Sequence, residues 1–473
     1  MKVLFASSEA YPFAMSGGLA DVAGALPKAL RKRLIGCRII MPLYSCVSEE
    51  MRQKMTFICN ITVPVSWRRQ YCGVFEAHLD GVIYYLIDNQ YYFNRDGLYG
   101  HYDDAERFAF FSRAVLEVIP HIGFTPDIIH CNDWQTALIP VYLDTIYRSS
   151  DPYKNIKTVF TIHNIQYQGK YGYELTGDVL GLPNGTESLV EYDNCVNLMK
   201  GAIQCSDKIT TVSPTYSREI LDPYYSHGLD SILKEFTYKL TGIVNGIDVD
   251  VYNSETDSLI YKNFTVGDTE GKAYNKAQLQ KEMGLPEAPD VPLVGIVTRL
   301  VKHKGIDLVK CVFEDLLRAD IQFAILGSGE WEFETFFHEM AQKYPEKVGL
   351  KLGFKPQLAH RIYAGADIFL MPSQSEPCGL AQMVALRYGT IPIVRETGGL
   401  NDTISDSGDG LGNGFTFKSY NAHDMLETIW RALAGYAEKD GWRLLRDRAM
   451  KCDNSWGTSA NAYIRLYKEI ISN

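Results

Sequence analysis

Short, continuous apolar runs alternate with amphipathic segments from one end of the chain to the other. Continuous apolar runs separated by helices are typical of strands buried on both faces of a parallel sheet and joined by right-handed crossovers. The predicted strands form two series, the first being Val3–Ala6, Arg38–Met41, Ile83–Ile87, Ile128–His130, Thr158–Ile162 and Lys208–Val212, and the second Leu293–Thr298, Gln322–Leu326, Gly349–Leu352, Ile368–Met371 and Ile391–Val394. The pattern predicts an α/β protein with two Rossmann-like parallel-sheet domains facing a central cleft.

The expected domain boundary lies in a polar, irregular stretch between the two series of strands. A chain of 473 residues is also longer than one hydrophobic core usually supports. We therefore expect an N-terminal domain over 1–241 and a C-terminal domain over 242–454. The segment 67–104, rich in Tyr and Gly, could form a β-hairpin excursion on the first sheet. The last stretch, 455–473, has the apolar spacing of a helix and could pack on either domain.

The composition, 46% hydrophobic and 22% charged, is that of a globular protein without a membrane-spanning run. A net charge of −10 argues against nucleic acid or an anionic membrane as a partner, because both favour a basic face. The ten cysteines include no C-x-x-C pair, so we expect no zinc site and a reducing, cytoplasmic location. No H-E-x-x-H motif, P-loop or dinucleotide fingerprint is present, so we expect neither a metal nor a cofactor.

The most informative motif is the run from Ser375 to Leu380, which contains Glu376, Cys378 and Gly379 and follows a predicted strand. Open α/β sheets bind ligands beyond the carboxyl ends of their strands. A carboxylate held there can bind sugar hydroxyls, and the amides that follow it can point at a bound group. The alternative is a surface-loop carboxylate, but the position at a strand end favours a functional site.

Two further loops at predicted strand ends have the chemistry of a phosphate site. The Gly-rich helix start Thr397-Gly398-Gly399 follows one strand and is suited to phosphate. Arg299 and Lys304 follow another, where a guanidinium clamp and an ammonium point charge together suit a diphosphate. The alternative for the basic loop is a solvated turn. A carboxylate for a sugar near groups for a diphosphate indicates an enzyme that uses a nucleotide sugar.

The predicted N-terminal domain has its own candidates. Gly17 and Gly18, in the run Ser16 to Val22 that also contains Asp21, allow close approach of the backbone to a ligand, although the motif on its own favours a tight strand–helix turn. His163 ends one predicted strand and could be only a structural histidine. Asp133 follows the preceding strand and could simply cap a helix from Trp134 onward.

Two candidates remain open between roles. Asn245, in Asn245-Gly246-Ile247-Asp248, has a turn signature and could be only the hinge between the domains. Phe354, at a strand end, could stack on a nucleobase or cover the edge of the core.

Taken together, these motifs resemble the bacterial glycogen synthase and plant starch synthase family over almost the whole chain. The matching stretches are S-G-G-L-A-D-V at 16–22, C-N-D-W at 131–134, F-T-I-H-N at 160–164, Y-Q-G at 167–169, V-S-P-T-Y at 212–216, N-G-I-D at 245–248, T-R-L-V-K-H-K-G at 298–305, S-E-P-C-G-L at 375–380 and T-G-G-L at 397–400. Any one of these would be weak evidence, but so many in order are specific.

The resemblance implies a GT-B fold in which the helix at 455–473 completes the N-terminal domain. It also implies retaining transfer of glucose from ADP-glucose to the non-reducing end of an α-1,4-glucan such as glycogen, without a metal. By the same resemblance, Arg299 and Lys304 bind the diphosphate, Thr397, Gly398 and Gly399 contact the phosphates, and Phe354 contacts adenine. Glu376 and the amides of Cys378, Gly379 and Leu380 bind the glucose. His163 lies beside the 6-hydroxyl of the glucose, and Asp133 helps to place the sugar or the acceptor. By the same pattern Met15, Gly17, Gly18, Asp21 and Asn245 are substrate-binding positions.

The chain departs from the family pattern at two places. Members usually carry Lys at the place of Met15 and Arg-Phe at the places of Gln374 and Ser375. Loss of each positive charge could reduce activity about tenfold or more. The departures leave two alternatives open, which are a glucosyltransferase with a changed donor such as UDP-glucose and a weakly active glucan-binding regulatory protein.

Overall fold

The computed structural model describes residues 1–472, which form two compact units. The N-terminal unit comprises Met1–Gly246 and the segment from Trp456 onward, and the C-terminal unit comprises Ile247–Ser455. These divisions lie a few residues after the expected ones at 241 and 454. No helix among residues 1–472 combines the length and the apolar character needed to span a membrane.

The N-terminal unit is built on a nine-stranded sheet and a small three-stranded sheet. The strands are β1 (Lys2–Ala6), β2 (Gly36–Pro42), β3 (Met55–Val65), β4 (Arg68–Leu79), β5 (Val82–Asp88), β6 (Ile128–Asn132), β7 (Lys157–Ile162), β8 (Lys170–Tyr171), β9 (Glu191–Tyr192), β10 (Cys195–Asn197), β11 (Lys208–Thr211) and β12 (Leu240–Gly242). The helices are α1 (Gly18–Arg31), α2 (Glu49–Arg52), α3 (Gln90–Phe93), α4 (Asp104–Glu117), α5 (Leu138–Tyr142), α6 (Leu198–Cys205), α7 (Pro214–Glu219) and α8 (Asp230–Glu235), with the C-terminal helix at Trp456–Ser472.

The large sheet has the order β12-β11-β7-β6-β1-β2-β5-β4-β3, and its strands from β12 to β5 pair in parallel. All six strands predicted for this half are present, so their prediction is confirmed. Within the expected segment 67–104, β4 and β5 pair antiparallel, which confirms the hairpin. The excursion begins earlier than expected, because β3 starts at Met55 and pairs antiparallel with β4. Residues after β5 form helices and loops instead. The half-exposed, alternating pattern of β3 is that of an edge strand, which a search for continuous apolar runs misses.

The C-terminal helix packs within the N-terminal unit. Its Tyr467 hydroxyl lies 2.7 Å from Nδ1 of the buried His130, and Ser459 donates to the Val244 carbonyl oxygen at 2.6 Å. Its apolar face, which includes Tyr463 and Leu466, is buried. The apolar face of this C-terminal helix therefore packs on the N-terminal unit, although the helix lies at the other end of the sequence.

The C-terminal unit has a single six-stranded, all-parallel sheet in the order β15-β14-β13-β16-β17-β18. Its strands are β13 (Leu293–Val297), β14 (Gln322–Gly327), β15 (Val348–Leu352), β16 (Ile368–Met371), β17 (Ile391–Arg395) and β18 (Phe415–Phe417). Its helices are α9 (Thr269–Met283), α10 (Ile306–Leu316), α11 (Trp331–Lys343), α12 (Pro356–Gly365), α13 (Ala381–Arg387), α14 (Gly398–Thr403), α15 (Ala422–Ala437) and α16 (Lys439–Met450). All five strands predicted here are present, and only the short β18 was missed.

Candidate active site

The strand order of the C-terminal unit reverses between β13 and β16, which pair with each other. Such a switch point is where open α/β sheets bind ligands, because the loops leave the two strands in opposite directions. The loop after β13 carries Arg299 and Lys304, and the loop after β16 carries Glu376. The structure therefore brings these three predicted residues to one edge of the sheet.

Glu376 is the best-defined side chain of this edge. One of its carboxylate oxygens, Oε2, lies 2.6 Å from Lys304 Nζ and accepts a hydrogen bond of 3.1 Å from the Ser373 hydroxyl. The residue is only 7% exposed. Because a buried carboxyl group is costly without polar partners, the ammonium and the hydroxyl offset the cost of burying this side chain.

The other basic side chains of this loop are exposed. Arg299 is exposed, and one nitrogen of its guanidinium lies 3.4 Å from His303 Nε2. Burial, helped by the charges of Lys304 and Arg299, lowers the pKa of His303. With a neutral imidazole, the cationic side chains of this loop are Arg299, Lys302 and Lys304, which suit a bound anion.

Gly398 and Gly399 hold the start of α14 against the Glu376 loop. Gly398 has a φ of +45°, and a Cβ there would lie 1.9 Å from the Glu376 carbonyl oxygen. The Gly399 amide donates to the carbonyl oxygens of Glu376 at 3.2 Å and Pro377 at 3.1 Å. Close packing of the backbone thus requires both glycines, which is a role that the sequence did not predict. Phosphate binding by Thr397, Gly398 and Gly399 stays a prediction.

The turn that follows Glu376 is fixed by a side chain of α13. The amide of Gln382 donates to the carbonyl oxygens of Cys378 at 3.1 Å and Gly379 at 2.9 Å. Gly379 has a φ of +70°, a conformation that favours glycine. Leu380 then precedes the first residue of α13. Hydrogen bonds from Gln382 thus hold the turn, and the contact of its amides with a bound group stays a prediction.

Sequence reasoning missed Arg395, the last residue of β17. The buried guanidinium donates to the carbonyl oxygen of Ser373 at 3.0 Å and also to that of Gln374. It therefore supports the backbone just before Glu376, where the sequence lacks the Arg-Phe of the family pattern. The signal in the sequence was a basic residue at the end of an otherwise apolar strand, which points to a bonded, buried cation.

The N-terminal unit has a switch point of its own, where the strand order reverses between β1 and β6. The loop after β1 contains Glu9 and leads to Gly17 and Gly18, and Asp133 follows β6. His163 follows β7, the neighbour of β6. The carboxyl edge of this sheet therefore carries the predicted polar residues of the first half of the chain.

Asp133 holds the backbone of the His163 loop. Its Oδ1 accepts the His163 amide at 2.8 Å, and the carboxyl also accepts the Asn164 amide. Its φ of +55° is rare for a residue other than glycine. The alternative that Asp133 caps the following helix is wrong, because the turn Trp134–Thr136 has no side-chain cap. Burial, with a smaller contribution from Glu9, raises the pKa of Asp133 to about 7 although two amides bond to it.

The ring of His163 has a defined partner. Its Nε2 lies 2.9 Å from Oδ1 of Asn132, the last residue of β6. Burial lowers the pKa of His163 to about 3, so the ring is neutral at pH 7.

Glu9, which sequence reasoning also missed, organises the glycine loop. Its carboxylate accepts the Ser16 amide and, at 3.1 Å, the Ser16 hydroxyl. Burial raises the pKa of Glu9, and bonds from Ser16, Tyr99 and the Gly17 amide oppose that shift. An acidic residue shortly after a buried strand was the available signal.

The glycines of this loop differ from those at α14. A Cβ on Gly17 or Gly18 would meet nothing within 4 Å, so packing does not require either glycine. Both are exposed, as is Met15, and Asp21 lies half-buried in the first turn of α1. Their exposed backbone leaves room for a ligand to approach.

Two predicted residues, Asn245 and Phe354, are not in the loops that follow the switch-point strands. Asn245 is buried, and within residues 1–472 its Oδ1 has no hydrogen-bond partner. Phe354 is 86% exposed, so the alternative that it covers the core edge is wrong and stacking on a base stays a prediction. Residues 1–472 contain no group of three or more His, Cys, Asp or Glu arranged to hold a metal ion.

Comparison with known proteins places the chain in one family. Residues 2–235 match the starch synthase catalytic domain and residues 279–443 match glycosyl transferases group 1. Glycogen synthase of Geobacillus thermodenitrificans (strain NG80-2) is 54% identical over 100% of this chain and 98% of its own, and glycogen synthase of Bacillus cereus (strain ATCC 10987 / NRS 248) is 52% identical over 100% of both chains. The catalytic domain of starch synthase IV from Arabidopsis thaliana, solved with ADP and acarbose, is 35% identical with a TM-score of 0.92 over 100% of this chain and 99% of its own. This chain therefore belongs to the glycogen synthase and starch synthase family of GT-B glycosyltransferases.

Proposed function

We propose that the protein is a glycogen synthase that transfers glucose from ADP-glucose to the non-reducing end of an α-1,4-glucan, with retention at the anomeric carbon. Family membership over the whole chain supports this activity. The observation that carries it is the ion pair between Lys304 and Glu376 at a sheet switch point. A cation for diphosphate joined to a carboxylate for sugar hydroxyls is the chemistry that a nucleotide sugar needs.

In this proposal the basic loop binds the donor phosphates. Arg299 supplies a bidentate clamp and Lys304 a point charge, and both stabilise the negative charge that grows on the leaving diphosphate. Glu376 accepts hydrogen bonds from glucose hydroxyls, and its loop is held in place by Arg395 and Gly398. Oriented charges in a poorly hydrated site act more strongly than in water, which lowers the barrier to departure of the nucleotide.

The residues of the N-terminal unit contribute orientation. We expect His163 beside the 6-hydroxyl of the transferred glucose, with Asp133 holding the backbone of that loop. The acceptor hydroxyl attacks on the face from which the diphosphate leaves, and the leaving phosphate takes the acceptor proton. Retention then needs no enzymic nucleophile, and the protein supplies proximity and charge stabilisation.

The cellular setting follows from the same proposal. All ten cysteines, which lie within residues 1–472, are free thiols. Free thiols persist in a reducing compartment. We therefore place the activity in the cytoplasm, with ADP-glucose and glycogen as the substrates.

One observation favours a second candidate, in which the donor is UDP-glucose. Met15 is 49% exposed beside the glycine loop, where the family pattern has Lys. A missing cation at an anion-binding loop changes the balance between donors with different leaving groups.

The test is nucleotide release by the purified protein with glycogen as acceptor, comparing ADP-glucose and UDP-glucose in the wild type and Met15→Lys. We expect ADP release that depends on glycogen, with Glu376→Ala as the blank. Faster release from UDP-glucose would support the second candidate. No release from either donor, in the wild type and in Met15→Lys, would refute both and leave a glucan-binding regulatory protein.

A further inference from the structure

Asn132, at the end of β6, has its side-chain amide oriented by two carbonyl oxygens. Its Nδ2 donates to the Ala6 carbonyl oxygen at 2.9 Å and to that of His130 at 3.3 Å. A carbonyl oxygen can only accept, so the amide nitrogen must face these two groups. Asn132 is fully buried, so no water replaces them. The amide oxygen, Oδ1, therefore points the other way.

That oxygen determines where the His163 ring carries its proton. Oδ1 of Asn132 lies 2.9 Å from His163 Nε2. Since an amide oxygen only accepts, Nε2 must be the protonated nitrogen. Burial lowers the pKa of His163 to about 3, so the ring carries a single proton at pH 7 and Nδ1 has a free lone pair. Among residues 1–472 no group bonds to Nδ1.

The backbone of His163 is held as firmly as the ring. Asp133 Oδ1 accepts the His163 amide at 2.8 Å. Asp133 and Asn132 are consecutive, so one short segment after β6 sets both the position of the main chain and the proton on the ring. Nδ1 is consequently an oriented acceptor at the carboxyl edge of the sheet.

We propose that Asn132 is a positioning residue that fixes His163 as the Nε2–H tautomer, so that Nδ1 accepts a hydrogen bond from a hydroxyl of the transferred glucose. This inference deepens the proposed function and rests on it for the identity of the sugar. Its chemical consequence is directional, because the sugar hydroxyl must donate. A donor with fluorine or hydrogen in place of that hydroxyl cannot make the bond.

The tautomer is tested in the substrate-free protein by nitrogen NMR with ¹⁵N in the histidine rings. The ring signals of His163 are those absent from His163→Gln. At pH 7 we expect a protonated Nε2 and an unprotonated Nδ1. A protonated Nδ1 in the wild type would overturn the proposal.

Two variants separate the tautomer from the structural contacts of Asn132. Asn132→Asp keeps an oxygen facing Nε2 but loses the donors to Ala6 and His130, so we expect it to retain the wild-type tautomer. Asn132→Leu has neither group, so we expect both tautomers. The same tautomer mixture in both variants would contradict our assignment. If Asn132→Leu does not fold, the wild type and Asn132→Asp still decide.

Kinetics test the acceptor role. We use ADP-glucose and its 6-deoxy and 6-deoxy-6-fluoro forms, because the 6-hydroxyl is the group expected beside His163. In the wild type we expect kcat/KM to fall about tenfold for both analogues alike. In Asn132→Leu the rate on ADP-glucose falls about three- to tenfold and the difference between donors shrinks.

The outcomes of these kinetics are distinct. A fluorinated donor used as well as ADP-glucose would refute acceptance by Nδ1. If the wild type uses neither ADP-glucose nor UDP-glucose, the proposed function fails, and with it the glucosyl partner of Nδ1. The NMR result would then still show whether Asn132 sets the tautomer.

Discussion

Lys304 Nζ lies 2.6 Å from Glu376 Oε2, and this ion pair joins the loop after β13 to the loop after β16. The two strands are neighbours in the sheet, which is why residues far apart in the sequence meet. Their side chains are 18% and 10% exposed, so water screens the pair only partly. We therefore expect an anionic donor to compete with Glu376 for Lys304, which would couple the phosphate contact to the placement of the carboxylate.

Lys304→Ala should weaken donor binding. Loss of a charge-assisted hydrogen bond is worth about 1.5–3 kcal/mol, so we expect the Kd for ADP to rise roughly tenfold to a hundredfold. Titration calorimetry measures it. Lys304→Gln keeps a hydrogen-bond donor without the charge, so its Kd for ADP should lie between those of the wild type and Lys304→Ala. Unchanged affinity in Lys304→Ala would remove this residue from the diphosphate site.

Glu376→Ala should abolish transfer and leave the fold intact. The backbone carbonyl of Glu376, not its side chain, bonds to the Gly399 amide, so truncation spares that loop contact. We expect turnover to fall at least about a hundredfold, since a hydrogen-bonded charge that contacts the sugar is lost. Circular dichroism provides the fold control, and Glu376→Gln separates charge from size. Wild-type-like turnover in Glu376→Ala would exclude Glu376 from the mechanism, whereas in Glu376→Gln it would show that the charge is not required.

Gly398→Ala should destabilise the C-terminal unit, whereas Gly17→Ala should leave the stability of the N-terminal unit unchanged. At Gly398 the added Cβ meets the Glu376 carbonyl oxygen at 1.9 Å and φ is +45°, whereas at Gly17 nothing lies within 4 Å. We expect a loss of about 2 kcal/mol or more in the first variant and less than about 0.5 kcal/mol in the second. Urea unfolding measures both free energies. Equal stability of the two variants would show that the close contact at α14 is unimportant.

The stability of the protein should carry a pH-dependent contribution from Asp133. Its pKa is about 7 in the folded chain and about 3.9 in an unfolded one. A raised pKa means that the folded state favours the protonated form, so the contribution is complete below about pH 4 and is lost as pH rises through 7. The loss is at most about 4 kcal/mol.

The comparison of wild type with Asp133→Asn isolates that contribution. Urea unfolding at pH 5 and pH 8 should show the wild type losing stability relative to the variant as pH rises. Glu9, whose pKa is also raised by burial, remains in both proteins, so the part of its pH dependence that does not involve Asp133 cancels in the difference. A difference that stays constant with pH would contradict the shift assigned to Asp133.

Removal of divalent metal should leave the activity unchanged. The proposed mechanism places the charge of the leaving diphosphate on Arg299 and Lys304, which are cations without any metal. We expect the same turnover with and without excess EDTA, measured as nucleotide release. Activity lost in EDTA and restored by Mg²⁺ would show that the two side chains are not sufficient.

Which residues form the buried strands could be predicted because burial on both faces is a local property. Continuous apolar runs such as those of β13 and β16 need no knowledge of their neighbours to be recognised. The loops that carry Glu376, Lys304 and His163 could be found for the same reason, since each directly follows such a run. The edge strand β3 could not be predicted in this way, because surface loops have the same half-exposed pattern of residues.

What the sequence by itself determined is therefore the set of strands, the polar loops at their carboxyl ends and, through the order of the motifs, the family. Only the tertiary structure decided what those residues contact. Asp133 accepts a hydrogen bond from the His163 backbone amide, and Glu9 accepts one from the Ser16 hydroxyl. The guanidinium of Arg395 donates to the Ser373 carbonyl oxygen in the loop before Glu376. The physical reason is that these contacts join loops from different strands. Spacing along the chain reports burial of a segment, but only the order of strands in the sheet determines which loops meet.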